Sequence, residues 1–109
     1  MNIEKYTERV RGFIQSAQTF ALSSNNQQFT PEHLLKVLVD DEEGLAAALI
    51  ERAGGRIADV RLGLQAALDA LPKVTGGNGQ LYLAQPLAKV FATAEEVAQK
   101  AGDSFVTVE

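Results

Sequence analysis

Few residues in this sequence have the chemistry for catalysis or metal binding, and their spacing predicts neither. His33 is the only histidine and the chain has no cysteine. Thiolate zinc sites and cysteine nucleophiles are therefore excluded, and a lone histidine is a poor metal ligand. No serine lies in a Gly-x-Ser-x-Gly elbow. We expect His33, in the first turn of a helix, to be a packed or capping residue.

The glycine-rich stretch at 76–79 does not have the features of a phosphate-binding loop. It lacks the following Lys-Ser/Thr and the strand-to-helix context of a P-loop. We predict a flexible loop there. The sequence accordingly predicts no ATP site, cofactor or metal site in this chain.

Acidic side chains cluster at three places along the chain. The runs at 40–43 and 95–96 are typical of solvated helix ends and faces. Asp103 and Glu109 are expected to flank a corner between two helices, which would bring both carboxylates near one surface. Capping and compensation of the helix dipole are the alternative roles for this pair.

Size and composition restrict the class of protein. A chain of 109 residues supports one domain with one core. Its net charge of -4, with scattered basic residues, argues against binding to nucleic acid or an anionic membrane. No apolar run reaches the length of a membrane helix, and the charged N-terminus does not resemble a signal peptide. The absence of cysteine suits a cytoplasmic protein.

Helical periodicity dominates the hydrophobic pattern, which predicts an all-α fold. Thr30 and Pro31 form an N-cap and first-turn pair, whereas Gly54 and Gly102 follow helix ends. A short extended piece near Tyr82 allows at most one small strand pair. The predicted helices span about 6–21, 31–38, 41–50, 57–68 and 86–101.

An internal repeat relates the first and fifth helices. A shift of 77 residues superposes their apolar faces without a gap, and Thr30 then meets Thr107 after loops of equal length. We therefore expect approximate twofold symmetry, with repeat one at about 4–72, a loop at 73–83 and an incomplete repeat two at about 84–109. The chain is then expected to be a fragment that continues with an apolar helix.

Three segments carry a family resemblance. FTPEHLL (29–35), GGNGQLYL (76–83) and GDSFVTVE (102–109) together resemble the Clp N-terminal domain family, and within it the domain of protein-disaggregating chaperones. The resemblance covers essentially the whole chain. It implies an all-α fold that is a pseudo-twofold pair of four-helix units, with the second unit truncated here.

The resemblance also implies a function. The full-length protein would be a cytoplasmic homohexameric machine, driven by ATP with magnesium, that works with another chaperone system. Its ATPase modules would lie outside this chain, which is therefore expected not to be an enzyme. The N-terminal domain would recruit unfolded or aggregated polypeptides and bind neither nucleic acid nor a membrane.

The expected polypeptide-binding surface has a polar and an apolar part. Thr7, Asp103 and Glu109 match positions that the family uses on this surface. From the apolar stripe of the fifth helix, Leu87, Phe91 and Val97 are candidates for an adjoining groove, with core packing as the alternative for each.

A second function stays open at this point. Related Clp protease regulatory subunits carry the same fold, and there the domain would dock folded adaptor proteins through a polar patch. A hydrolase that uses the carboxylates has no supporting constellation.

Overall fold

The computed structural model describes residues 3–74 and 80–108, and in these ranges the chain is predominantly helical. The glycine-rich segment 75–79 and Glu109, both included in the sequence predictions, lie outside the described residues. A short 3-10 helix, Ile3–Lys5, precedes the main elements. The α-helices are α1 (Glu8–Ser23), α2 (Pro31–Val39), α3 (Leu45–Arg52), α4 (Ile57–Asp69) and α5 (Gln85–Lys100).

The local sequence explains most of these boundaries. Thr7 caps α1, with its side-chain oxygen accepting from the backbone N–H of Val10 at 3.3 Å. Thr30 and Pro31 begin α2, as predicted. The prediction that the acidic run at 41–43 opens α3 is wrong, because Gly44 adopts φ 69° and the helix begins after it.

Two short strands join the halves of the chain. β1 (Gln28–Phe29) pairs in parallel with β2 (Tyr82–Leu83), in the register Gln28 with Tyr82 and Phe29 with Leu83. This confirms the expectation of one small strand pair near Tyr82. A similar parallel bridge joins Tyr6 to Val106, so Tyr6, predicted within the first helix, instead lies just before it.

Most of the buried apolar residues in the described ranges form two clusters. The larger lies between α1, α5 and the two bridged segments. The smaller joins the end of α2 to α4, through Val39, Leu64 and Leu68. None of the helices in the described ranges is long and apolar enough to span a membrane. The larger cluster comprises Tyr6, Ile14, Ala17, Phe29, Leu87, Phe91 and Val106.

Helices α1 and α5 are equivalent at an offset of 77 residues. Both are 16 residues long, and their first residues, Glu8 and Gln85, are separated by this offset. Their terminal turns match as well, since Asn25 and Gly102 occupy the same position and both have positive φ, 62° and 78°.

The bridges obey the same offset. Thr7 donates its backbone N–H to the Val106 carbonyl at 3.1 Å, and its counterpart Ala84 donates to the Phe29 carbonyl at 2.9 Å. Each strand pair is therefore the image of the other, as a twofold relation between the two segments requires.

Candidate functional site

An open groove lies between α5 and the segment that follows it, and we call it the Val97 groove. Its volume is about 520 Å³, within the size range of ligand-binding clefts. One wall is a face of α5, and the other is the extended segment after its terminal turn. The groove is lined by Ala94, Val97, Ala98, Asp103, Phe105, Val106, Thr107 and Val108.

The apolar lining of this groove is accessible to solvent. Val97 is 60% exposed and Phe105 is 52% exposed, whereas Val106 is buried beneath them in the larger core cluster. Two large apolar side chains that face one concavity form a surface on which an apolar ligand can be buried.

Asp103 lies at the rim of the Val97 groove with an exposed side chain. Its backbone N–H closes the terminal turn of α5 by donating to the Ala98 carbonyl at 2.8 Å. No hydrogen bond or ion pair joins its carboxylate to another residue within 3–74 and 80–108. The turn is thus capped by the backbone, without the help of the carboxylate as far as the described residues show.

Thr7 lies beside the same segment. Its backbone N–H binds the Val106 carbonyl, which brings the start of α1 next to the groove. Its half-buried side chain is engaged as the N-cap of α1. The structure therefore brings Thr7 and Asp103 to one region, with Thr7 already in a structural role.

The three candidates on α5 separate into two classes. Leu87 is 0% exposed and Phe91 is 4% exposed, so both belong to the core, and only Val97 faces the open groove. Phe91 packs edge-on against Tyr6, with ring centroids 5.9 Å apart. Leu87 also borders a second concavity of about 320 Å³, the α2–α5 groove, with Pro31, Glu32, Leu34, Leu35, Leu38 and Val90.

Sequence reasoning missed two residues near this site. Phe105 was not nominated, although it lies inside the GDSFVTVE segment and an aromatic residue there was a usable signal. Glu95 was assigned to solvated charge, but it accepts a hydrogen bond from the Tyr6 hydroxyl at 2.9 Å. Burial, and then this bond, raises the pKa of Tyr6.

The acidic run at 40–43 forms ion pairs with α1, α2 and α4 and is not a candidate ligand-binding site. Asp41 and Glu43 both pair with Arg9 of α1. Asp40 pairs with Lys36 at 2.6 Å and also with Arg61 of α4. These hydrogen bonds, that from Lys36 above all, lower the pKa of Asp40. The described part of the chain holds no group of three His, Asp or Glu residues that would bind a metal ion.

His33 combines both predicted roles, since it is fully buried and caps the start of α2. Its Nδ1 atom accepts from the Thr30 backbone N–H at 3.0 Å, and its Nε2 atom lies 2.9 Å from the Asn26 Oδ1. Burial lowers the pKa of His33. The residue is structural and distant in sequence from the Val97 groove.

Comparisons with known proteins agree with this architecture. The family model described as the Clp repeat (R) N-terminal domain matches residues 5–109. The chaperone protein ClpB of Brucella suis biovar 1 (strain 1330) is 83% identical over 109 residues. This alignment covers 100% of this chain and 12% of that relative. The chain therefore spans about an eighth of the length of the curated relatives it matches.

Solved structures show the same fold. The N-terminal domain (1-163) of the ClpV1 ATPase from E. coli EAEC Sci1 T6SS superposes with a TM-score of 0.84 at 22% identity, over 95% of this chain and 63% of that chain. A chain described as a peptide from the EAEC T6SS Sci1 SciI protein has the same score and identity, over 95% of this chain and 65% of its own. Because the family model matches residues 5–109, the chain belongs to the Clp repeat (R) N-terminal domain family, and the solved structures share its fold.

Proposed function

We propose that this chain is the substrate-recruiting N-terminal domain of an ATP-dependent protein-disaggregating chaperone. The observation that carries the proposal is the Val97 groove, where Val97 and Phe105 are exposed beside Asp103, whose carboxylate has no partner among the described residues. The 83% identity to ClpB supports the assignment to a disaggregating chaperone.

The proposed mechanism is weak, reversible capture of exposed apolar side chains. Each client side chain buried against Val97 or Phe105 would contribute about 1.5–3 kcal/mol before the ordering of the client is subtracted. A few such contacts give micromolar or weaker affinity. Apolar contact without a fixed register accepts many sequences, which suits a domain that passes its client on.

The polar residues would orient and attract the client. The Asp103 carboxylate, and Glu109 with it, would favour segments with a basic residue near the apolar ones. Thr7 would contribute mainly by holding the start of α1 against the groove. Leu87 and Phe91 would support the groove from the core without touching the client.

The wider assignments belong to the same proposal. The chain is one Clp N-terminal domain, about 12% of ClpB in length. The full-length protein would be a cytoplasmic homohexamer that uses ATP and magnesium in its other modules and cooperates with a second chaperone system. We also propose the division into repeat one at about 4–72, a loop at 73–83 and an incomplete repeat two at about 84–109.

The test is titration of a permanently unfolded protein into this chain and its variants. Val97→Ser should weaken binding roughly five- to tenfold, because one buried apolar contact is lost. Its matched control is Leu62→Ser, which alters a leucine on α4 that is 73% exposed and lies outside the groove. Circular dichroism of each variant confirms that the helices are retained.

The carboxylates are tested in the same assay. Asp103→Ala and Glu109→Ala together should weaken binding of a basic client and reduce its salt dependence. Glu42→Ala is the control, since Glu42 is an exposed carboxylate in the α2–α3 connection. If the double variant binds as well as the unmodified chain, the carboxylates have no role in capture.

Docking of a folded adaptor is the competing function. Binding of the folded form of the test protein, with no preference for the unfolded form, would favour this function over client capture.

A further inference from the structure

A buried network of hydrogen bonds runs through His33 and joins three segments: the turn after α1, the start of α2 and the connector after α4. The Thr30 backbone N–H donates to Nδ1 of His33 at 3.0 Å. Nε2 of His33 lies 2.9 Å from Oδ1 of Asn26, and Nδ2 of Asn26 donates to the Pro72 carbonyl at 3.1 Å. His33 is 0% exposed and Asn26 is 5% exposed, so water does not substitute readily for these partners.

The partners on both sides of the His33 ring require the same neutral form of the imidazole. The Pro72 carbonyl can only accept, so it orients the Asn26 amide with Nδ2 toward itself and Oδ1 toward His33. Nε2 must then donate. At the other end the Thr30 N–H needs an acceptor, which makes Nδ1 the unprotonated nitrogen. The Thr30 hydroxyl also lies close to this nitrogen, with Oγ1 3.1 Å from Nδ1, and it can donate to Nδ1 when Nδ1 is unprotonated. A proton on Nδ1 would reverse the bond to the hydroxyl, place two donors face to face and leave the Thr30 N–H without its partner.

The segments held by these hydrogen bonds connect the two halves of the domain. Pro72 and Val74 follow α4, and the Val74 N–H donates to the Asn25 carbonyl at 2.8 Å. Farther along the chain, Tyr82 donates its backbone N–H to the Gln27 carbonyl, also at 2.8 Å. The connector at 72–74 is thus fastened to the turn that ends α1, beside the bond between Asn26 and His33.

We propose that His33 is an acid-sensitive latch. When neutral, it holds the connector at 72–74 and the first turn of α2 against the end of α1, and its protonation releases both. The first turn of α2 supplies Pro31 and Glu32 to one wall of the α2–α5 groove, so the latch also controls the shape of that groove.

The surroundings of His33 favour the neutral form. The rings of Phe20 and Phe29 flank it, with centroids 5.7 Å and 6.2 Å away, and the polar partners Thr30, Asn26 and Pro72 do not titrate. Glu32, its neighbour on α2, is the charged group that acts on it and opposes the effect of burial. Burial is the larger effect, so the closed latch binds a proton more weakly than the open one.

The pH dependence follows from this difference. In the open state His33 resembles a free histidine, with a pKa of about 6.5. Between that pH and the lower pKa of the closed state, the open state takes up a proton that the closed state does not yet bind, so the opening constant rises by up to about tenfold per pH unit. Above it, both states are neutral and the latch is insensitive to pH.

The experiment is hydrogen exchange of individual amides in this chain, measured by NMR between pH 7.5 and 5 and corrected for intrinsic exchange. The Thr30 and Val74 amides report on the latch, and the Thr7 amide, bound to Val106, is the reference. Opening at Thr30 and Val74 should rise by up to about tenfold per unit below pH 6.5, while Thr7 changes less. Nitrogen chemical shifts should identify the tautomer protonated at Nε2.

His33→Gln is the decisive variant. A glutamine at this position can accept the Thr30 N–H through Oε1 and complete a capping box, but it does not titrate. Its Thr30 and Val74 amides should show no acid-induced opening. The proposal is overturned if the acid step persists in His33→Gln, if Thr7 opens together with the other two amides, or if no amide responds to pH.

Asn26→Asp gives an independent measurement. A carboxylate opposite Nε2 favours the imidazolium in the closed latch, so the pKa of His33 in the closed state should rise toward or above that of the open state. Acid-induced opening at Thr30 and Val74 should then shrink or reverse, because the closed state no longer binds the proton more weakly. An unchanged acid step would contradict the assigned pairing of Asn26 with His33.

Discussion

The turns that end α1 and α5 have the same backbone but opposite surroundings. Asn26 and Asp103 are equivalent at the 77-residue offset, and each donates its backbone N–H to a carbonyl five residues earlier, at 3.0 Å and 2.8 Å. Asn26 is buried against His33 and Pro72, whereas Asp103 is exposed at the rim of the Val97 groove.

The helix faces beside these turns differ in the same way. Phe20 packs against the smaller core cluster, but its counterpart Val97 is 60% exposed. A neutral amide stands where the turn is buried, and a carboxylate stands where it is open, because an unpaired charge is costly to bury. The backbone makes the turn, and within 3–74 and 80–108 the Asp103 carboxylate has no partner, so we expect it to act outside the fold.

The largest expected effect tests the division of α5 into a buried and an open face. Leu87→Ala should lower the free energy of unfolding by about 2–5 kcal/mol, because it leaves a cavity at a fully buried position. Val97→Ala on the open face should change it by less than about 0.5 kcal/mol. Urea denaturation measures both, and a large cost at Val97 would mean that this face is closed in solution.

The second effect tests the contrast between the two turns. Asn26→Ala should cost about 1–3 kcal/mol, because the buried His33 Nε2–H loses its acceptor and the Pro72 carbonyl its donor. Asp103→Ala should cost less than about 0.5 kcal/mol. Equal costs in urea denaturation would show that the Asp103 carboxylate also stabilises its turn.

The third effect compares Tyr6 and Leu83, which occupy equivalent positions in the two strand pairs at the 77-residue offset. Tyr6 is 1% exposed and its hydroxyl binds Glu95, whereas Leu83 is 42% exposed. Tyr6→Phe should cost about 1–2 kcal/mol, since a hydrogen bond to a carboxylate is lost. Leu83→Ala should lower the free energy of unfolding by less than about 1 kcal/mol. Thermal unfolding measures both variants, and a larger loss for Leu83→Ala than for Tyr6→Phe would contradict the comparison.

The sequence predicted the helices because each one repeats apolar residues at helical spacing. It also predicted the 77-residue offset, which depends on local pattern alone. The start of α3 was predicted wrongly because the helix begins only after Gly44, which has positive φ. Asp41 and Glu43, which precede it, instead pair with Arg9, more than thirty positions away. Such pairing leaves no trace in the local pattern.

The site was harder to predict for a similar reason. Leu87, Phe91 and Val97 belong to one apolar stripe, and only the packing of other elements decides which of them is covered. The proximity of Thr7 to Asp103 depends on the bridge between Tyr6 and Val106, which no spacing indicates. The family resemblance supplied these positions, and the structure supplies their different environments.

The smallest effect concerns the residues with positive φ in the two turns. Gly102 has φ 78° and its counterpart Asn25 has φ 62°. A Cβ at Gly102 would meet no atom within 4 Å, so any cost of substitution there comes from the backbone conformation alone. Gly102→Ala should cost about 1–2 kcal/mol, whereas asparagine tolerates this region better.

Gly102→Asn sharpens the comparison, because it places in the second turn the residue type that the first turn has at the equivalent position, Asn25. If the two turns are equivalent, this variant should lose only a few tenths of a kcal/mol, and Asn25→Gly should also be nearly neutral. Thermal unfolding of the three variants measures which of them loses most stability. A cost for Gly102→Asn as large as that for Gly102→Ala would mean that the second turn is held more tightly than the first, and that its surroundings constrain more than the backbone.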